Sequence, residues 1–112
     1  MKESNKALGS PFVHHVMDQL TFIEGLRGRV MFGGVGIFQN DRMFAIILKG
    51  VLYLKSDEHS KVAFESRGCP AFFYASRGKS VRLSYYEAPP EVFEDQDALR
   101  EWVNRSLCAT SV

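Results

Sequence analysis

Between Val35 and Lys55 three short β-prone runs are separated by residues that reverse a chain, and this alternation narrows the fold more than any other feature. Val35-Gly36-Ile37-Phe38 is joined to the run Met43–Leu48 by polar Gln39-Asn40-Asp41-Arg42, and Lys49-Gly50 joins that run to Val51–Lys55. Connections this short force neighbouring strands to run antiparallel, because a parallel pair needs a crossover of about a dozen residues or more. A three-stranded antiparallel meander is expected here.

Helical signals lie on either side. Ser10 can accept a hydrogen bond from a first-turn amide, Pro11 suits the first helical position, and Phe12, Val16, Leu20 and Ile23 follow at helical spacing, so a first helix is expected to end near Gly25 to Gly28. Asp57 can cap a short second helix through Val62 and Phe64, with Gly68 at its left-handed end. Phe72-Phe73-Tyr74 and Val81–Tyr86, joined by Arg77-Gly78-Lys79, read as two more strands. A last helix carries Leu99, Trp102, Val103 and Leu107 on one face, and the Glu101/Arg105 pair on another. The expected order is α-βββ-α-ββ-α, an α+β fold with a two-layer antiparallel sheet and helices. It occupies residues 10–108, between a flexible tail over 1–9 and a C-terminal tail over 109–112.

The triple Gly33, Gly34 and Gly36 raises the question of a phosphate loop. Such a loop needs a helix N-terminus directly behind its glycines and, for a nucleoside triphosphate, a Lys-Ser/Thr pair. Ile37-Phe38-Gln39-Asn40 follows instead, a strand running into a turn. Glycines inside a strand mark a bulge or a close approach by another backbone. The expectation is a strongly bent strand and no bound nucleotide.

Composition restricts partners. Fourteen Lys and Arg against thirteen Asp and Glu leave no net field to steer the chain onto DNA or an anionic membrane. The longest apolar run, Met43–Leu48, falls far short of the roughly twenty residues needed to span a bilayer. Cys69 and Cys108 have no metal-binding or redox spacing, which points to a reducing, cytoplasmic location.

Five ordered motifs carry a family likeness: Arg29-Val30-Met31-Phe32-Gly33-Gly34, Asp41-Arg42-Met43-Phe44-Ala45, Leu52-Tyr53-Leu54-Lys55, Ser84-Tyr85-Tyr86 and Ala98-Leu99-Arg100-Glu101-Trp102. Together, over about Ser10 to Leu107, they resemble the TfoX (Sxy) N-terminal domain family. The resemblance implies a small α/β fold around an antiparallel sheet, in bacterial proteins linked to natural competence. In those regulators the domain precedes a helical C-terminal domain, and the whole protein acts as a co-activator with the cyclic-AMP receptor protein. A chain stopping at Val112 is expected to be a stand-alone domain of the N-terminal type. No catalytic residue is carried over from the family.

The residues themselves assemble no enzyme. His14 and His15 are adjacent and point about 100° apart on a helix, so they cannot chelate one ion; His14 with Asp18, and His59 after two acids, are too few for a metal. A serine nucleophile at Ser84 would need an oriented base that the local sequence does not supply. The expected function is a non-enzymatic regulatory or adaptor domain with no cofactor, acting on a protein partner such as the transcription machinery.

Its candidate interaction surface is Ile46, Ile47, Arg82 and Tyr86. Met43–Leu48 is apolar at both alternating parities and asks for cover on both sheet faces, which motivates a homodimer that buries either the helix-free sheet face or a strand edge. The alternative function is low-affinity nucleic-acid binding through Arg27, Arg29, Arg77, Lys79 and Arg82. A small enzyme would require Tyr85 or Tyr86 to converge with a histidine and a carboxylate.

Overall fold

The computed structural model describes residues 10–31 and 33–110. The tail over 1–9, Phe32 of the first motif and residues 111–112 lie outside the described residues. The fold is α+β: among the described residues, six antiparallel strands in the order β1-β2-β3-β4-β6-β5, with three helices. The chain divides into two compact units, Met1–Leu52 and Tyr53–Val112.

The first unit opens with α1 (Pro11–Gln19). Ser10 caps it by accepting from the Val13 amide, and Pro11 stands at its start. Its end comes earlier than the spacing of apolar residues predicts. The Leu20 amide bonds the Met17 carbonyl and the Ile23 amide bonds the Leu20 carbonyl, so the chain tightens into three-residue turns. Leu20 and Ile23 still reach the core, although neither is helical.

An added strand, β1 (Leu26–Met31), then pairs with β2 (Gly34–Gln39), and β2 with β3 (Arg42–Leu48). The Arg-Gly-Arg stretch in β1 lacks the apolar alternation by which strands are recognised; tertiary pairing with β2 makes it extended. The loop Lys49-Gly50, with φ of 53° and 76°, leads to β4 (Val51–Lys55). Positive φ at both positions matches the right-handed twist of the flanking strands.

The glycines of β2 permit close approach. A Cβ on Gly34 would strike the Ile47 carbonyl, and one on Gly36 would lie 2.5 Å from the Met31 sulfur and 2.8 Å from that of Met43. The bulge lies further along, where Phe44 is the extra residue of β3 opposite Ile37 and Phe38.

In the second unit α2 (Lys61–Ser66) follows a reciprocal turn in which Asp57 Oδ1 accepts from the Ser60 amide at 2.7 Å and Ser60 Oγ from the Asp57 amide at 3.0 Å. Gly68 leaves the helix at φ 71°. β5 (Ala71–Ser76) and β6 (Lys79–Glu87) form a hairpin across Arg77-Gly78, and β6 continues against Tyr53–Lys55. A 3-10 turn, Pro90–Phe93, precedes α3 (Gln96–Ala109), whose cap is Asp95. Leu99, Trp102 and Val103 are buried; beside them Ser106, rather than Leu107, is fully enclosed, its hydroxyl bonded to the Trp102 carbonyl.

Candidate functional site

Phe64 of α2 anchors the second unit's aromatic core. Its ring stacks on Tyr86 at 5.2 Å and 9° and meets Trp102 at 5.0 Å. The ring of Tyr86 is thereby buried while its hydroxyl emerges at a polar cleft. That hydroxyl donates to Glu65 Oε2 at 2.5 Å and accepts from Arg82 Nη2 at 2.7 Å. The Arg82 guanidinium also lies 5.6 Å from the Tyr86 ring centre.

This geometry depends on a bulge. Phe72 pairs with Leu83 but Ala71 with Tyr86, so Ser84 and Tyr85 are extra residues on β6. The bulge draws Arg82 and Tyr86 together along one strand. The freed Ser84 carbonyl is satisfied by the Ser56 amide at 2.8 Å and the Ser56 hydroxyl at 3.2 Å.

The cleft has a volume of about 180 Å³ and is lined by Ser56, Asp57, Lys61, Arg82, Ser84 and Tyr86 among others. Its groups are occupied with one another. The hydrogen bond to Glu65 raises the Tyr86 hydroxyl above its ordinary value, with burial adding to the effect. Burial pushes Tyr85 up to about 12. Pairing with Glu58, whose carboxylate is 3.1 Å away, raises the Lys61 ammonium. Two tyrosines held protonated and a lysine held charged are poor bases at neutral pH. At Tyr86 a carboxylate and an arginine converge, in place of the carboxylate and histidine that an enzyme reading required.

His14, His15 and His59 are all exposed. Among the described residues no three His, Cys, Asp or Glu side chains gather as a metal cluster. Cys69 and Cys108 are free thiols, and burial raises that of Cys69.

The other predicted site residues divide. Ile46 and Ile47 are 0% and 4% exposed, so both parities of the apolar run are covered within one chain and neither isoleucine offers a contact surface. The prediction that one of them faces a partner is corrected accordingly. Tyr86 is 3% exposed and contributes only its hydroxyl, whereas Arg82 is exposed.

The basic residues fall into separate sets. Arg27 and Arg29 are exposed on the same face of β1, with Arg29 5.5 Å from the Phe38 ring centre. Arg77 sits in the β5–β6 turn. Lys79 and Arg82, three residues apart on a regular stretch of β6, lie on opposite faces of that strand. Glu65 escaped the sequence reading, because nothing local connects a helical glutamate with a tyrosine 21 residues later.

The family model of the TfoX N-terminal domain matches residues 18–110. The chain belongs to the TfoX N-terminal domain family. A relative, the DNA transformation protein TfoX1 of Aliivibrio fischeri, is 34% identical over 70 residues, which cover 62% of this chain and 33% of the relative. The match thus spans about a third of that protein's length. Within the TfoX motifs of this chain, Gly34 admits a close neighbour, and Leu52, Leu54, Tyr85, Tyr86, Leu99 and Trp102 are buried. These motif residues serve packing, whereas Arg29, Asp41, Arg42, Ser84, Arg100 and Glu101 of the same motifs are exposed. Among the described residues no helix is long and apolar enough to cross a membrane.

Proposed function

We propose that this chain is a non-enzymatic, cytoplasmic regulatory domain of bacterial DNA transformation that acts through protein contacts. The observation that carries the reading is the family match over residues 18–110, joined to a relative named for DNA transformation. The geometry agrees with it in one respect: the polar groups at Tyr86 are paired with each other rather than aimed at a reacting atom. One surface of the second unit open to a partner is the exposed Arg82 side of β6.

The test joins a cellular and a biochemical arm. Deleting the chain in the organism that encodes it is expected to lower transformation frequency, and supplying the intact chain is expected to restore it. Purified chain titrated with duplex DNA near physiological salt is expected to show no tight binding. Unchanged transformation would remove the regulatory role. Tight DNA binding that falls steeply with salt and with Arg27→Ala and Arg29→Ala would replace protein contacts by direct nucleic-acid binding.

A further inference from the structure

The two edges of the sheet are chemically unlike. β1 ends one side and carries the exposed Arg27 and Arg29 around Gly28. Charged side chains on an edge strand discourage pairing with another chain. β5 ends the other side with the sequence Ala71-Phe72-Phe73-Tyr74-Ala75-Ser76, which contains no charge, proline or glycine. Phe73 is 54% exposed, and Ala75 is exposed as well.

The β5–β6 loop determines which backbone groups of β5 face outward. Arg77 and Gly78 form a two-residue loop with φ of 53° and 76°, closed by the pair Ser76 and Lys79. In a hairpin of this type the closing pair exchanges both hydrogen bonds, and the ladder alternates from there. Ser76 and Tyr74 therefore bond toward β6. The amide and carbonyl of Phe73 and of Ala75 point away from it, where the sheet has no further strand among the described residues.

We propose that β5 is a self-pairing edge: it joins β5 of a second copy antiparallel, across a two-fold axis perpendicular to the sheet, with Phe73 opposite Ala75 of the partner subunit. Both outward pairs then exchange amide-to-carbonyl bonds, and the axis keeps each sheet face on its own side. A second copy is the occupant that the charges favour. Both strands are neutral, so pairing sets no like charges against each other and leaves no charged group unpaired. The arginines on β1 close the opposite edge to the same reaction, and association stops at a closed dimer instead of running on as a filament. This inference is independent of the regulatory reading, and its test measures no transformation phenotype.

Sedimentation velocity of the full chain from about 5 to about 200 μM is expected to show a monomer–dimer equilibrium. Phe73→Lys places a charge on the edge, and Ala75→Pro removes an outward amide that the β5–β6 ladder does not use. Each is expected to weaken the dimer at least about tenfold with an unchanged circular-dichroism spectrum, whereas Arg29→Ala leaves it intact. In the unmodified chain, hydrogen exchange at the Phe73 and Ala75 amides should slow as concentration rises, a readout that needs no variant. A monomer throughout the range, a dimer indifferent to both β5 variants, open-ended assembly, or exchange at these amides that ignores concentration would each overturn the proposal.

Discussion

Tyr86 and Glu65, 21 residues apart in sequence, share a 2.5 Å hydrogen bond that joins the last strand to the short helix α2. The same hydroxyl accepts from Arg82, so one oxygen ties strand, helix and an exposed cation together. A helix of six residues has little stability of its own, and tertiary contacts of this kind hold it. Tyr86→Phe keeps the stack on Phe64 and deletes only the hydroxyl. The expected cost is about 0.5–1.5 kcal/mol in urea unfolding, the range for one part-buried hydrogen-bonding group.

Gly34→Ala and Gly36→Ala should separate clearly. The new methyl at 34 meets a backbone carbonyl, that of Ile47, which cannot move without shifting β3. At 36 it meets the ends of two methionine side chains, which can swing aside. Overpacking costs about 1–3 kcal/mol, and Gly34→Ala is expected at or above the top of that range, with Gly36→Ala near the bottom. Thermal unfolding of the two variants side by side checks the order.

Acid should destabilise the second unit through two carboxylates. The Arg67 guanidinium, paired with both oxygens of Glu91, holds that carboxyl below its ordinary 4.5. The Ser60 amide holds Asp57 below its ordinary 3.8. A value depressed on folding means stability that is fully present above the unfolded value and is lost as pH falls through the folded one. Urea midpoints should therefore drop between neutral pH and about pH 3, and Glu91→Gln should shrink that drop while lowering the midpoint at neutral pH.

Ile46→Asp and Ile47→Asp are both expected to unfold the chain. Each would place a carboxylate in a position that is 0% or 4% exposed, at a cost of several kcal/mol unless it is protonated or the site opens. Loss of the circular-dichroism signal in both variants is the expected reading. A folded variant at either position would show that its face is accessible after all.

Lys49 and Arg77 occupy left-handed backbone at φ 53°, each before a glycine. Asparagine is the residue best suited to that position in a two-residue hairpin turn. Lys49→Asn is expected to raise stability by about 0.5–1 kcal/mol, readable as an upward shift of the urea midpoint at constant slope.

Short-range chemistry was legible in the sequence. Ser10-Pro11 opens α1, Asp57 organises the turn before α2, and Lys49-Gly50 and Arg77-Gly78 reverse the chain because few residue pairs adopt those torsions cheaply. The α+β class and the order of the named elements followed from those signals, and the family motifs agreed. The strand at Leu26–Met31 was not legible: Arg-Gly-Arg has no apolar face, and only its partner β2 makes it a strand. Nor could the sequence say that Ile46 and Ile47 are both covered, since alternation shows that two faces need cover and not what supplies it. The Tyr86 site, likewise, exists only because a two-residue bulge brings Arg82 within reach while α2 delivers Glu65 from elsewhere in the chain. Local torsional preference acts over a few residues and can be read along the chain; long-range pairing and burial are properties of the folded surface, and tertiary structure alone decided them.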